Sequence, residues 1–262
     1  MEKHLILFDI DGTLLTDQRT ILPATVKVVN QLTDLGHAVY IASGRLLVSA
    51  STYAAKLNNQ VQTIASNGSV YTLNGTIVKN QLADAAIKAC FLACQKYPSV
   101  KMRLFSTTTA YCFGHVDEKL KKMAPEITFI DIASYGALKQ KGVYITNGIL
   151  FSENLTDLSH VKAYLSSYPL DLSSSNLYNI ELIPKGRSKA QALLEVAENL
   201  QIQVKNTIAF GNGENDIEML QTAGTGVAMQ NSPQQVLDRA DEIITSNNED
   251  GIAQFLRHYF GL

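Results

Sequence analysis

The chain has 262 residues, 46% of them hydrophobic and 18% charged, with 22 basic against 24 acidic side chains. That length is ample for a self-sufficient core in one large α/β domain or two smaller ones, and the apolar fraction excludes disorder. A net charge of −2 argues against a nucleic-acid or membrane-surface partner, which calls for a basic excess, and no run of about 18 apolar residues offers a membrane span.

The N-terminus passes from Met1-Glu2-Lys3-His4 straight into Leu5–Ile10, the short apolar run of a strand buried on both faces. The run is too short for a signal peptide and Asp9 interrupts it, so a cytoplasmic location is expected. Pro23 opens a helix, with Val26, Val29 and Leu32 at helical spacing and Gly36 as its stop. Ala38–Ala42 reads as a second buried strand, Leu46–Leu57 as a helix and Gln62–Ala65 as a third strand. This alternation predicts a parallel sheet with right-handed crossovers.

The pattern then changes. Val70–Leu73 and Thr76–Lys79 flank Asn74-Gly75, a strong hairpin signal. A helix over Asp84–Tyr97 precedes strands at Lys101–Ser106, Tyr111–Phe113, Thr128–Ile132, Tyr144–Phe151 and Asn179–Ile183, with a helix at Leu155–Ser167. From Ser188 the first pattern returns: helix Lys189–Leu200, strand Thr207–Phe210, helix Ile217–Thr222, strand Gly226–Met229, a helix from Pro233, strand Glu242–Thr245 and helix Ile252–Tyr259. The expectation is a discontinuous α/β body, residues 1–82 and 188–262, interrupted by an α+β insertion at 83–187. The insertion carries 12 basic and 9 acidic residues, net +3, and the remainder is net −5; an acidic metal-holding body under a cover that tolerates anions would look like this, and so would two ordinary surfaces. Cys90, Cys94 and Cys112 are odd in number and lack CxxC spacing, which argues against disulfides or zinc and for small buried hydrophobes.

Candidate chemistry gathers at strand ends, where open α/β sheets place their ligand sites. Asp9 and Asp11, two residues apart at the end of the first strand, point to one side, and two close carboxylates call for a shared cation. A plain strand-ending turn is the alternative. Ser43-Gly44-Arg45 before a helix is either an anion site or a simple N-cap. Ser66-Asn67-Gly68 ends the third strand, where an ordinary turn would look the same. Lys189 in a helical first turn is disfavoured by the helix dipole unless an anion or carboxylate pairs with it, although most lysines are simply solvated. Gly211-Asn212-Gly213-Glu214-Asn215-Asp216 closes the fourth strand with polar and acidic groups.

With these residues in place the sequence resembles the haloacid dehalogenase superfamily, specifically its Cof-type phosphatases with a large α+β cap (type IIB). Asp9-Ile10-Asp11-Gly12-Thr13, Ser43-Gly44-Arg45, Lys189 and Gly211–Asp216 match in order, with Asn67-Gly68 after the third strand. The first two motifs are 34 residues apart, leaving no room for a cap, whereas the second and third are 146 apart. The resemblance implies a Rossmann-like parallel-sheet core with an inserted cap, and a magnesium-dependent phosphomonoesterase of small phosphorylated metabolites such as sugar or cofactor phosphates. It implies that Asp9 is the nucleophile that forms an aspartyl-phosphate and that Asp11 is the general acid, then the base. Ser43, Gly44, Lys189 and Asn215 would hold phosphate. Magnesium would bind Asp9, the Asp11 backbone carbonyl and the fourth motif at Asn212, with Asp216 as a second-sphere group or replacement ligand. Arg45 and Asn67 would help on the substrate side.

The family usually has Asp where Asn212 stands. Asn offers a carbonyl oxygen without charge, so weaker magnesium binding is expected. The cap is expected to close over the site and exclude water. Its Lys119, Lys121 and Lys122 either meet a second anionic group or form a solvated face. Rival readings are a catalytically weakened binding or regulatory protein of this fold, and a phosphotransferase or mutase. Monomer and homodimer are both compatible with the sequence.

Overall fold

The computed structural model describes residues 2–114, 116, 118–174 and 176–262. Contacts divide the chain into two units, Met1–Arg45 with Ala50–Ile77 and Ser188–Leu262, and Leu46–Ser49 with Val78–Arg187. The sequence expectation put the joints at 82/83 and 187/188. The contacts move the first to 77/78 and assign Leu46–Ser49 to the second unit.

The first unit is built on an eight-stranded sheet in the order Glu242–Ile244, Thr225–Met229, Thr207–Gly211, Leu5–Phe8, Ala38–Ala42, Gln62–Ala65, Val70–Leu73, Thr76–Lys79. The first six run parallel and Val70–Leu73 is antiparallel to its neighbour. Leu5, Ile6, Leu7 and Phe8 are all fully buried, as a central strand covered on both faces requires. The first strand therefore stops at Phe8, short of the expected Ile10, and Asp9 begins the loop. Phe8 pairs in register with both Phe210 and Ile41, and its ring stacks on Phe210 at 5.0 Å between centroids. The chain leaves Leu5–Phe8 towards one side of the sheet and later fills the other from Thr207–Gly211. That reversal is a topological switch point, the crevice where ligands bind in such sheets.

The second unit has a six-stranded sheet, Leu170–Ser173, Asn179–Pro184, Asn147–Phe151, Lys101–Phe105, Thr109–Phe113, Thr128–Asp131. Its pairs are antiparallel except the last. Met102 and Leu104 are buried while Lys101 is exposed and Arg103 and Phe105 are half-buried, the period-two alternation of a sheet with one covered face. The helices Asp84–Lys96, Tyr135–Gln140 and Leu155–Leu165 contribute Ile87, Leu138, Leu158 and Val161 to the same core. Cys90 and Cys94 fall one helical turn apart on that core face, and all three cysteines are buried and free. Burial pushes the Cys94 thiol up to about 12 and raises that of Cys90. The strand Leu170–Ser173 and the helices Glu118–Met123 and Tyr135–Gln140 were not read from the sequence, because elements of four to six residues leave too little periodicity. Glu118–Met123 buries none of its residues, and Lys121 pairs with Glu118 at 2.7 Å.

Candidate active site

The parallel sheet delivers the chemistry. Asp9 follows Phe8, Ser43 follows Ala42, Ser66 follows Ala65, and Asn212 follows Gly211 at the carboxyl ends of four consecutive strands of the sheet. The Asp9 N–H donates to the Phe210 carbonyl at 2.9 Å, and the Ser43 N–H to that of Ile64 at 2.9 Å, extending the ladder into the loops. Hydrogen bonding of the sheet thereby fixes the backbone on which the functional side chains stand.

Lys189 is the centre of the buried half. It opens the helix Lys189–Asn199, whose N-cap Ser188 accepts the Gln191 N–H at 3.1 Å. Its side chain is 1% exposed, and Nζ donates to Asp9 Oδ1 and to Asp216 Oδ1, each at 2.6 Å. The unfavourable helix-dipole position is offset by two carboxylates, so Lys189 is not a solvated lysine. Burial alone would lower its pKa, but Asp216 and then Asp9 outweigh that and raise it. Burial, followed by the charge of Asp216, pushes the Asp9 carboxyl up to about 7, against the pull of Lys189.

Asp216 has both carboxylate oxygens in use. Oδ1 accepts from Lys189, and Oδ2 accepts the N–H groups of Asn212 at 3.0 Å and Gly213 at 2.9 Å. Those bonds curl the fourth-strand loop around the carboxylate. Gly211 makes this possible, since a Cβ there would lie 2.6 Å from the Asp216 Cβ.

The Asp11 side chain stands in a separate ion pair. Its partner is Arg45, which clamps it with two donors, Nε to Oδ2 at 2.7 Å and Nη2 to Oδ1 at 2.6 Å. The guanidinium also sits 5.0 Å from the Tyr53 ring centroid. Asp9 shares the Lys189 ammonium with Asp216, while the Asp11 carboxylate pairs with Arg45; the strand ends at Phe8, before both aspartates. Gly12, at φ +81, turns the chain so closely against Asn212 that a Cβ would lie 2.5 Å from Nδ2. The Thr13 hydroxyl donates to Asn212 Oδ1 at 2.8 Å, a contact that no sequence signal suggested.

On the third-strand side, Ser66, Asn67 and Gly68 all have positive φ. Their backbone secures the second motif, with Ser66 N–H donating to the Arg45 carbonyl at 2.8 Å and Asn67 N–H to that of Ser43 at 3.1 Å. Gly68 is obligatory, since a Cβ would lie 2.0 Å from the Ser188 carbonyl oxygen, just before Lys189. Asn67 Oδ1 accepts from Asn215 Nδ2 at 3.4 Å and would meet a Cβ on Gly44 at 3.1 Å, so these three residues cluster. Ser43 is buried but caps no helix. Its Oγ accepts the Arg45 N–H at 3.2 Å, and the helix begins only at Leu47.

The donor chemistry suits a hard cation. Asp9 offers a carboxylate, and Asn212, held against the Gly12–Thr13 turn, offers a carbonyl oxygen. Among the described residues no group of three or more His, Cys, Asp or Glu could hold a metal ion by itself. A cavity of about 330 Å³ in the second unit, lined by Gln81, Leu82, Asp84, Tyr135 and Lys139 among others, contains none of these motif residues.

A buried lysine between two carboxylates thus stands at the switch point of a parallel sheet, and comparison with known proteins gives the class, a hydrolase. The sequence profile of the haloacid dehalogenase-like hydrolases matches residues 6–256, and the chain belongs to that family. The Bacillus subtilis 5-amino-6-(5-phospho-D-ribitylamino)uracil phosphatase YcsE is 31% identical over 99% of this chain and 96% of its own. The Escherichia coli pyridoxal phosphate phosphatase YbhA is 29% identical over 98% of both. The structure of the subclass IIB sugar phosphatase BT4131 superposes with a TM-score of 0.83 over 99% of this chain and all of that one, at 21% identity. Within the family the chain stands among the phosphatases. Among the described residues no helix is long and apolar enough to cross a membrane.

Proposed function

We propose that this chain is a magnesium-dependent phosphomonoesterase of small phosphorylated metabolites, acting through an aspartyl-phosphate at Asp9. The observation that carries the reading is the buried Lys189 bridging Asp9 and Asp216 at 2.6 Å each. Lys189 holds one Asp9 oxygen and fixes the carboxylate's orientation for attack, while its charge offsets that of an arriving phosphate. An Asp9 oxygen bonds to phosphorus as the bond to the leaving oxygen breaks, and Asp11 gives that oxygen its proton. A water then attacks phosphorus and yields its proton to Asp11, regenerating the Asp9 carboxylate and releasing phosphate. Asp216 is a positioning residue, since both its oxygens are committed to Lys189 and the Asn212–Gly213 backbone. Ser43, Gly44 and Asn215 are given to the phosphate, and Arg45 and Asn67 to the neighbouring substrate side. Magnesium held by Asp9, the Asp11 carbonyl and Asn212 would supply charge neutralisation of the phosphoryl oxygens.

The names of relatives acting on pyridoxal phosphate and on a phosphoribitylamino-uracil support sugar and cofactor phosphates as the substrate class. The test is hydrolysis of p-nitrophenyl phosphate and of a panel of such phosphates by the purified chain, with magnesium or with EDTA. Turnover is expected only with the metal and not in Asp9→Asn. Activity surviving that substitution would overturn the reading.

A further inference from the structure

The loop that carries Asp11 is tied to the far end of the chain by amide side chains that the proposed chemistry does not use. Locally the loop is well bonded. The N–H groups of Leu14 and Leu15 donate to the carbonyls of Asp9 at 3.2 Å and Ile10 at 2.9 Å, and the Thr16 N–H donates to Thr20 at 2.9 Å. Leu15 also bridges both Asp11 and Ile21. Such bonds set the shape of the loop but not its position on the sheet.

Besides the Arg45 clamp on Asp11 and the Thr13–Asn212 bond, position comes from three asparagines that follow the last two strands. Asn231 Nδ2 donates to the Gly12 carbonyl at 2.9 Å. Asn247 Nδ2 donates to the Leu15 carbonyl at 2.8 Å and to Asp17 Oδ1 at 3.2 Å. The Asn247 N–H donates to Asn231 Oδ1 at 3.1 Å and joins the two anchors into one chain of bonds. Asn248 and Asp17 complete it, with the Asp17 N–H donating to Asn248 Oδ1 and Asn248 Nδ2 to Asp17 Oδ2, both at 3.0 Å. Asn248 and then Asn247 hold the Asp17 carboxyl below its ordinary range. Asn247 is 5% and Leu15 2% exposed, so the Leu15 carbonyl would be left without a donor if Asn247 were lost, whereas Asp17 is exposed and can turn to water.

Both tied carbonyls belong to neighbours of Asp11. Gly12 follows it directly, and Leu15 is its bridge partner. We propose that Asn231 and Asn247, with Asp17, form a latch that positions Asp11 for proton transfer. The proposal rests on the role given to Asp11 above. Without the latch the loop keeps its internal bonds and the ties of Asp11 to Arg45 and Thr13 to Asn212, but it loses those at Gly12, Leu15 and Asp17. A displacement near 1 Å is enough to cost a large part of an oriented proton transfer.

A misplaced acid has a signature that simple destabilisation lacks. An alkyl phosphate needs its leaving oxygen protonated, whereas p-nitrophenolate leaves without help, so kcat/KM for the two substrates should separate. Asn231→Ala, at an exposed position that leaves the fold intact, and Asn247→Ala are each expected to reduce kcat/KM for an alkyl phosphate about tenfold more than for p-nitrophenyl phosphate. Asn58→Ala is the control, because Asn58 bridges Asn30 and Thr33 in the same unit without touching the loop, and there the two substrates should fall together. Amide hydrogen exchange over residues 11–17 should accelerate in both latch variants and not in Asn58→Ala. Equal losses on both substrates, or unchanged exchange over that segment, would overturn the latch. If the unaltered protein hydrolysed neither phosphate, the proposed reaction would fail, and exchange alone would decide the latch.

Discussion

Asp9 and Asp11 are two residues apart, and each has a basic partner at 2.6 Å, yet the two pairs lie in different environments. On the buried side, Lys189 and Asp216 are 1% exposed and Asp9 10%. On the other, Arg45 is 26% and Asp11 57% exposed. Distance is the same, so the consequences are set by solvent. In the interior the charges have no water to fall back on, and removing one leaves the others unpaired at a cost of about 3–5 kcal/mol. At the surface water replaces a lost partner, and such pairs contribute about 0–1 kcal/mol. In the proposed mechanism, rigidity suits a nucleophile that must be aimed, and exchangeability suits an acid that must gain and lose a proton.

Lys189→Met should show the largest effect. It leaves Asp9 and Asp216 facing each other, and a loss of about 3–5 kcal/mol is expected in urea unfolding, together with loss of turnover. Adding Asp216→Asn should recover part of the stability, because the amide oxygen can still accept the Asn212 and Gly213 N–H groups. The deficit should also depend on pH. Burial and Asp216 already raise Asp9 with Lys189 present, and without it the folded-state value stays above the unfolded one. A raised carboxyl contributes stability that is present at low pH and lost as pH rises, so the deficit measured in EDTA should be smaller at pH 5 than at pH 8. A variant as stable as the parent at pH 8 would break the contrast between the two pairs.

Much of this site was legible in the sequence because parallel strands carry it. Continuous apolar runs located the strands, and their ends located Asp9, Ser43 and Asn212. What stayed hidden depends on tertiary approach. Nothing local indicates that Asp11 turns to Arg45, that Thr13 reaches Asn212, or that Asn231 and Asn247 reach back to the first loop. The residues around Gly68 alone read as an ordinary turn, since the need for glycine comes from the Ser188 carbonyl, 120 residues further along the chain. In the insertion the covered sheet face was readable from alternation, whereas Tyr135–Gln140 was too short to declare itself.

Asn212 lies on the Gly12–Thr13 turn, next to the exposed pair, and tests how far added charge matters. Asn212→Asp keeps an acceptor for the Thr13 hydroxyl while adding a formal charge for a bound cation. The magnesium concentration giving half-maximal activity should fall about tenfold, a change of about 1.4 kcal/mol. An unchanged magnesium requirement would mean that the carbonyl oxygen already suffices and that no charge deficit exists.

The smallest effect on stability is expected from Arg45→Met. The thioether chain can still lie along the Tyr53 ring, so the substitution removes the two hydrogen bonds to Asp11 while keeping much of the packing. A change of no more than about 1 kcal/mol in unfolding free energy is expected. A double-mutant cycle separates this interaction from background. Arg45→Met with Asp11→Asn should give a coupling below about 1 kcal/mol, while Lys189→Met with Asp216→Asn should give at least about 2 kcal/mol. Both cycles interrupt contacts of 2.6 Å. Equal couplings would make contact distance the governing variable, and burial would no longer explain why one carboxylate is fixed and its neighbour exchangeable. A large difference would show the chain using one kind of bond for two tasks, with desolvation deciding which task each performs.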